Sequence, residues 1–160
     1  MNFRVGIGYD VHCFKQGRPC IIGGIEIKHD KGLDGHSDAD VLLHAICDSL
    51  LGAANLGDIG ELFPDTDQKF KGADSKILLK TCYDRVKEKG FALGNLDTIV
   101  VCEKPKLGPH KQEITNKIAE ILNVKPDLIS VKATTEEKMG FTGNEEGIKA
   151  WAYCLLVASR

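Results

Sequence analysis

The segment from Asp38 to Ala54 constrains the fold of this chain more than any other. Its apolar residues recur at spacings of three and four, which places them along one side of an α-helix. Ser37 or Asp38 stands where an N-cap belongs, and Gly57 follows beyond the end. The sequence therefore predicts a long helix that buries one side against the rest of the domain.

The segments around this helix carry strand patterns and further helix patterns. Strands are predicted over residues 3–9, 96–101 and 130–134, with two short strands around a Gly-Gly turn within 20–27. Helices are predicted from Asp74 or Ser75 to Lys89 and from Pro109 to Leu122. Residues 148–157 favour a strand, although their composition also suits a helix. This order predicts an α+β fold that opens with a β-meander and has a single mixed β-sheet with helices packed on one face.

The charge balance argues against two classes of partner. The 160 residues include 21 Lys and Arg against 23 Asp and Glu, a formal net charge of −2. Such a chain has no basic field for a nucleic-acid backbone or an anionic membrane surface. With 42% hydrophobic residues it can bury one core, so we expect a single domain over residues 1–160.

The cysteines and the N-terminal sequence favour a cytoplasmic location. The six cysteines are scattered and form no C-x-x-C pair, which fits reduced thiols. Strand-like sequence begins at Phe3, which leaves no room for a secretion signal. The longest apolar run, Trp151 to Ala158, is too short to span a bilayer. We therefore expect a soluble protein that is not exported.

Histidines and aspartates cluster between positions 10 and 48. Asp10 and His12 lie two apart on a strand pattern, so their side chains share a face, and both are zinc-ligand types. His44, in the predicted helix, is a candidate third ligand, which leaves one position open as in catalytic zinc sites. The alternative is a surface pair of Asp10 with His12 and a hydrogen-bonded core histidine. Cys13 or Cys47 could also supply a ligand, although Cys47 equally suits a small buried hydrophobe.

Two further segments carry candidate phosphate-binding groups. His36 and Ser37 precede the predicted helix N-terminus, where free N–H groups favour a phosphate and His36 could stabilise developing negative charge. The alternative is an N-cap with His36 as an ordinary loop residue. The segment 132–143 offers hydroxyls for phosphate and a carboxylate for a cation such as Mg²⁺, or else a capped turn with Thr134 or Thr135 as N-cap.

Eight motifs in order resemble the 2-C-methyl-D-erythritol 2,4-cyclodiphosphate synthase family over nearly the whole chain. They are GYDVH (8–12), GHSDAD (35–40), LLHAICDSLLGAA (42–54), GDIG (57–60), FPDTD (63–67), KGADS (71–75), PKLGPH (105–110) and KATTEEKMGFTG (132–143). The resemblance implies a homotrimer of α+β subunits with active sites between neighbouring subunits. It also implies a stand-alone catalytic domain without a fused cytidylyltransferase.

The resemblance assigns roles to individual residues. Zinc is expected on Asp10, His12 and His44, and transition-state charge stabilisation on His36 and Thr135. The substrate contacts that it implies, besides Asp10, His12, His36 and Thr135, are Ser37, Asp58, Ile59, Gly60, Phe63, Pro64, Asp65, Thr66, Asp67, Cys102, Glu103, Lys104, Pro105, Lys106, Leu107, Gly108, Thr134, Glu136, Glu137, Phe141 and Asn144. The 102–108 loop is expected to hold cytidine, and Thr134 and Glu137 the diphosphate with Mg²⁺ or Mn²⁺. At the position of Asn144 many members have an Arg, which faces the trimer axis together with the residue that matches Phe141. The departure at Asn144 therefore puts in question whether an isoprenoid diphosphate binds at that axis in this chain.

The reaction implied by the resemblance is an intramolecular phosphoryl transfer. The 2-phosphate of 4-diphosphocytidyl-2-C-methyl-D-erythritol 2-phosphate attacks the β-phosphorus and expels CMP, with the metals neutralising the crowded phosphates. A metal-dependent phosphohydrolase, which would activate water instead, is the alternative enzyme class. A trimeric binding protein for isoprenoid diphosphates is the alternative without catalysis.

Overall fold

The structure is a computed structural model that describes residues 2–64, 66–68 and 71–159. Within these residues the strands are β1 (Phe3–Gln16), β2 (Cys20–Ile22), β3 (Ile25–Ile27), β4 (Lys31–Leu33), β5 (Phe91–Val101), β6 (Ile129–Thr134) and β7 (Gly147–Ala158). The helices are α1 (Val41–Ala54), α2 (Ile59–Leu62), α3 (Ser75–Glu88), α4 (Lys111–Leu122) and α5 (Gly140–Gly143). Single 3₁₀ turns lie at Gly108–His110 and Pro126–Leu128.

The strands build a five-stranded mixed sheet in the order β4-β1-β7-β5-β6. The pairs β1/β4, β1/β7 and β5/β7 are antiparallel, and β5/β6 is parallel. The predicted α+β class and mixed sheet are therefore confirmed. The segment that suited either a strand or a helix is the central strand β7, because its buried side chains pack under α1 while its backbone pairs on both edges.

The predicted opening β-meander is wrong. Strands β2 and β3 do pair around Gly23 and Gly24, but they form a separate two-stranded sheet, and β4 returns to pair with β1. The buried carboxylate of Asp40 accepts the N–H groups of Gly23 at 2.9 Å and Gly24 at 2.7 Å. These bonds attach the hairpin to the start of α1 instead of to the main sheet.

Helix α1 lies almost in backbone contact with β1. A Cβ atom added at Gly6 would stand 1.9 Å from the carbonyl oxygen of Ser49, and one at Gly8 would stand 1.8 Å from that of Ala45. Only glycine leaves room for this approach. The consequence is that side chains of α1 and β1 reach one another directly, which the functional site below requires.

Helix α1 begins later than the sequence predicts. Its N-cap is Asp40, whose carboxylate accepts the N–H of Leu43 at 3.0 Å, so neither Ser37 nor Asp38 caps it. Asp38 is instead engaged by Ser75, at the start of α3. A buried carboxylate therefore lies at the end of α1, and the phosphate position predicted ahead of that helix stays a prediction.

The helices cover one face of the sheet and leave the other open. Helix α1 packs on β1 and β7, α4 packs on β6, and α3 packs against α1. The opposite face of β1 presents five large apolar side chains to solvent, namely Phe3, Val5, Ile7, Tyr9 and Val11. Val5 is the most exposed of them, at 68%. We call these residues, with their partly exposed β7 neighbours Trp151, Tyr153 and Leu155, the open sheet face.

Among the described residues, none of the helices combines the length and apolar character that a membrane crossing needs.

Candidate metal centre and active site

The structure brings Asp10, His12 and His44 together. Asp10 and His12 project from β1 toward α1, where His44 lies one turn past the N-terminus. The Oδ2 atom of Asp10 is 3.0 Å from Nδ1 of His12 and 3.1 Å from Nδ1 of His44. One ligand atom from each of the three residues falls within 4.8 Å of the others, which is close enough for one metal ion. The structure therefore confirms that the three predicted ligand residues lie together as a group that can hold a metal ion.

The donor set fits a divalent metal, as the hydrogen bonding of His12 shows. Its Nδ1 atom is buried and makes no hydrogen bond to any described residue, although Asp10 Oδ2 lies nearby. A buried imidazole nitrogen without a partner is costly in an ordinary core, whereas a bound cation would satisfy it. Carboxylate and imidazole donors in this number suit a transition-metal site with one open position.

The electrostatics of the cluster follow from its close packing. Burial alone would raise the pKa of Asp10, but the imidazoles of His12 and His44 outweigh it and hold that pKa below its ordinary value. Burial acts to lower the pKa of His44, yet Asp10, with smaller contributions from Asp40 and Asp38, raises it. The carboxylate is therefore kept ionised and attracts positive charge.

Neither candidate cysteine belongs to the cluster. Cys13 is exposed on the neighbouring position of β1, and alternation along the strand directs it away from His12. Cys47 is fully buried in α1, where its thiol faces that of Cys82. Cys47 is therefore a small buried hydrophobic residue, which was the alternative to a metal ligand.

The loop before α1 places His36 and Ser37 at the rim of the metal centre. The guanidinium of Arg18 fixes this loop by donating to the carbonyl oxygens of Gly35 at 2.8 Å and Ser37 at 2.5 Å. The hydroxyl of Ser37 lies 3.2 Å from Nε2 of His44. Sequence reasoning missed Arg18, because its contacts are to main-chain groups 17 and 19 residues away.

A cavity of about 230 Å³ opens beside the histidines. Its lining residues are His12, His36, Ser37, His44, Ile59, Gly60, Phe63 and Leu78. Asp58 caps the short helix α2 by accepting the N–H of Glu61 at 2.9 Å, and Asp48 holds α2 near the cavity by accepting the N–H of Ile59 at 2.8 Å. Leu78 is a cavity residue that carried no distinguishing sequence signal.

The loop 63–67, whose residues were predicted to contact substrate, continues from this cavity. Phe63 lines the cavity, while Pro64 and Thr66 are exposed and Asp67 is half-buried. The N–H of Asp67 donates to the carbonyl oxygen of Pro64 at 3.0 Å, which forms a turn. Asp65 was also predicted to contact substrate, but it lies outside the described residues.

A second, smaller cavity of about 140 Å³ lies beyond the ends of β5 and β6. It is lined by Cys102, Pro105, Lys106, Leu107, Gly108, Lys111, Ala133, Thr134 and Thr135. The N–H of Cys102 donates to the carbonyl oxygen of Thr134 at 3.1 Å, which holds the 102–108 loop against β6. Most of the predicted cytidine loop thus surrounds one pocket, with two lysines at its edge.

The segment after β6 is a tight turn held by short-range and long-range contacts. The hydroxyl of Thr135 donates to Oε1 of Glu137 at 2.8 Å, and the N–H of Lys138 donates to Oε1 of Glu103 at 3.1 Å. Glu137 and Lys138 both adopt positive φ angles, of 51° and 66°. Such backbone strain is commonly retained at functional loops. Glu137 is exposed and available to a cation.

Other predicted contact residues are engaged elsewhere. Glu136 binds the ammonium of Lys149 and the hydroxyl of Thr142, and Lys149 holds the pKa of Glu136 below its ordinary value. Phe141 lies under Lys149, whose Nζ atom is 5.3 Å from the ring centroid. Asn144 donates to Glu146 at 3.3 Å, and Lys104 pairs with Glu145 at 3.2 Å.

The second cavity lies at the end of the sheet and takes lining residues from both faces. Ala133 pairs with Val100, Val100 with Ala150, and Ala150 with Asp10, so Ala133 faces the same side as Asp10. Thr134 pairs with Val101, Val101 with Lys149, and Lys149 with Val11, and paired residues share a face. Thr134 therefore faces the same side as Val11, the opposite side from Asp10 and His12. The sheet order puts three strand spacings, about 14 Å, between β1 and β6.

The fold and the site together define an α+β protein in which three residues able to hold a metal ion lie beside an open cavity. The chain belongs to the YgbB family, whose sequence model matches residues 3–157. The 2-C-methyl-D-erythritol 2,4-cyclodiphosphate synthase of Synechococcus elongatus is 56% identical over 156 residues, which are 98% of this chain and 98% of that one.

Two solved structures extend the comparison. The bifunctional IspDF of Campylobacter jejuni matches 98% of this chain with a TM-score of 0.95 at 48% identity, and this chain spans 42% of it. IspF of Plasmodium falciparum, solved as a complex with CDP, matches 99% of this chain with a TM-score of 0.87 at 33% identity. The match covers 98% of that chain.

Proposed function

We propose that this chain is a 2-C-methyl-D-erythritol 2,4-cyclodiphosphate synthase. It converts 4-diphosphocytidyl-2-C-methyl-D-erythritol 2-phosphate to the cyclic diphosphate and CMP, in non-mevalonate isoprenoid precursor biosynthesis. The observation that carries the proposal is the Asp10, His12 and His44 cluster beside a cavity that also presents His36 and Ser37. The names of its relatives supply the reaction.

The metal centre would be held by Asp10, His12 and His44, with zinc as the proposed ion. A divalent cation bound there supplies charge neutralisation at a phosphate oxygen. His36, held in place by the Arg18-fixed loop, donates to a phosphate oxygen and stabilises charge that develops on it. Because the attacking oxygen belongs to the substrate, the chain needs to supply only position and charge.

The remaining substrate contacts are proposed for the two cavities. Ser37, Asp58, Ile59 and Gly60, with the loop 63–67, orient the methylerythritol portion beside the metal centre. The second cavity, formed by residues 102–108 with Thr134 and Thr135, receives the cytidine and the diphosphate. Exposed Glu137 is the proposed ligand for Mg²⁺ or Mn²⁺ bound with the diphosphate.

We infer that the active form is a homotrimer with sites between subunits. The open sheet face is apolar and exposed in the single chain, which is typical of a surface that another copy covers. A substrate that reached both cavities of one chain would have to span the three strand spacings, about 14 Å, between β1 and β6. A cytidine pocket from a neighbouring subunit removes this difficulty.

The domain and compartment follow the same reasoning. One continuous hydrophobic core joins the sheet to α1, α3 and α4, which supports a single catalytic domain over residues 1–160. All six cysteines are free thiols, which supports a reducing cytoplasm as the location.

The proposal is tested by release of CMP from the substrate, measured by chromatography with Zn²⁺ and Mg²⁺ present. Wild-type protein is expected to release CMP, while His44→Ala stays folded, retains little zinc and turns over poorly. Ile77→Ala, an exposed position on α3, is the matched control and should behave as wild type. Full activity in a zinc-free His44→Ala protein would contradict the proposal.

The shared site is tested by mixing two impaired chains. His44→Ala removes the metal centre of its chain, and Thr135→Val impairs the cytidine pocket of its chain. If each active site lies between two subunits, a mixed trimer can combine the intact metal centre of a Thr135→Val chain with the intact cytidine pocket of a His44→Ala chain. Random co-assembly in equal amounts should restore about one quarter of the wild-type sites. No activity above the sum of the separate variants would place both cavities of each site within one chain.

A further inference from the structure

Two residues behind the metal centre, half-buried Asp38 and buried Ser75, have no part in the function proposed above. Asp38 lies in the loop before α1, and Ser75 is the first residue of α3. Ser75 is fully buried, and its Oγ atom lies 2.9 Å from Nε2 of His44, on the side of the ring away from Asp10. The contact connects the metal centre to an element that supplies no ligand.

Ser75 holds Asp38 through two hydrogen bonds. Its N–H donates to Oδ2 at 3.0 Å, and its hydroxyl donates to Oδ1 in a short contact. Both carboxylate oxygens of Asp38 act as acceptors in these bonds, so the single hydroxyl proton of Ser75 points to Asp38. The Oγ atom then offers only a lone pair to His44, and Nε2 of His44 must carry the proton between them.

The direction of these bonds fixes the tautomer of His44. A neutral imidazole carries one ring proton, and placing it on Nε2 leaves a lone pair on Nδ1. This Nδ1 atom is the one that faces Asp10 Oδ2 at 3.1 Å. The hydroxyl of Ser37 is a weaker second partner of Nε2, at 3.2 Å, and already accepts the N–H of Ala39.

We propose that Ser75 and Asp38 are positioning residues of the metal centre, which hold His44 as the Nε2–H tautomer so that Nδ1 is the metal ligand. The inference rests on the proposed metal site and adds the residues that orient one of its ligands. Partners of this kind commonly change metal affinity by about 10- to 100-fold. They also anchor the ring, because Ser75 is fixed by the start of α3.

The test measures the zinc affinity of the full chain by competition with a chromogenic chelator. Ser75→Ala removes the acceptor of the Nε2 proton, and Asp38→Asn puts an amide donor where Ser75 needs an acceptor. Each should weaken zinc binding by about 10- to 100-fold. The matched control is Ser49→Ala, another buried serine, whose hydroxyl donates to Ile46 within α1 and does not touch His44.

A second measurement reads the tautomer itself and needs no variant. A long-range ¹H–¹⁵N correlation spectrum of zinc-loaded wild-type protein should show His44 with a protonated Nε2 and a metal-bound Nδ1. A metal-bound Nε2 overturns the inference. So does zinc affinity within twofold of wild type in both Ser75→Ala and Asp38→Asn.

The outcomes separate this inference from the proposed function. If His44→Ala loses zinc while both variants bind it like wild type, the metal centre stands and the positioning role fails. If wild-type protein binds no zinc, the metal assignment fails and this inference fails with it. If the variants lose affinity but Ser49→Ala loses it equally, the effect is general destabilisation and the positioning role is overturned.

Discussion

The close approach of α1 to β1 makes Gly8→Ala the most informative substitution in the fold. The added Cβ would stand 1.8 Å from the carbonyl oxygen of Ala45 and 2.7 Å from the backbone nitrogen of Ser49. Both atoms belong to the helix backbone, so no side-chain rotation can make room. The helix itself must move away from the strand.

The size of this movement can be compared with the tolerance of the metal centre. To bring the Cβ contact from 1.8 Å to at least 3.0 Å, α1 must retreat by about 1.2 Å near Ala45. His44 is the preceding residue on that helix, and Asp10 lies two residues beyond Gly8 on the strand. Metal–ligand distances tolerate deviations of only about 0.2 Å. The retreat therefore separates His44 from the other two ligands.

The assay combines zinc affinity with thermal unfolding. Gly8→Ala is expected to cost about 1–3 kcal/mol of folding free energy through overpacking, and to weaken zinc binding strongly. Gly52→Ala is the matched control, because this α1 glycine has open space where the Cβ would lie. The control should gain about 0.5–1 kcal/mol from helix propensity and leave zinc affinity unchanged.

A Gly8→Ala protein that bound zinc and unfolded like wild type would contradict this prediction. That result would mean that α1 and β1 are farther apart than the structure shows. The proximity of His44 to Asp10 would then lose its structural basis.

Three further predictions concern assembly, the active-site loop and pH. Ile7→Glu places a charge on the open sheet face and should convert the trimer to monomers, so that the mass measured by light scattering falls from three times 17.5 kDa to 17.5 kDa. Ile77→Glu, on α3, is the control and should leave the trimer intact. A trimeric Ile7→Glu protein would argue against an interface on the open sheet face. Arg18→Lys loses the paired guanidinium hydrogen bonds that fix the loop of His36, and it should lower kcat by roughly 10- to 100-fold with little change in KM. An unchanged kcat would contradict this role of Arg18. Burial raises the pKa of Asp40 to about 6 from 3.8, so ionisation of this carboxyl opposes folding. Relative to Asp40→Asn, the free energy of unfolding should fall by about 3 kcal/mol as the pH rises from about 3 to about 7, and a flat difference in urea titrations would refute this prediction.

Local patterns predicted most of the elements and part of the site. Helical spacing located α1, α3 and α4, and alternation placed Asp10 and His12 on one face of a strand, since these signals depend only on neighbouring residues. The start of α1 was misplaced because Asp38 is recruited by Ser75, far along the chain. A local reading gives no sign of such a partner.

The separate hairpin and the positioning residues lay beyond sequence reasoning for the same physical reason. The position of the β2/β3 hairpin depends on Asp40, because the carboxylate of Asp40 reaches Gly23 and Gly24 only once the chain has folded. Ser75 stands at the start of a helix, where a serine is commonplace, so its contact with His44 carried no pattern of its own.

The most direct test of the central claim is phosphorus NMR of the purified protein with 4-diphosphocytidyl-2-C-methyl-D-erythritol 2-phosphate, Zn²⁺ and Mg²⁺. If the chain is the proposed synthase, the spectra will show CMP together with a cyclic diphosphate, and both will be lost when a chelator removes the metals. CMP with a linear diphosphate would instead show a hydrolase that activates water, and an unchanged substrate spectrum would show that the Asp10, His12 and His44 site does not catalyse this reaction.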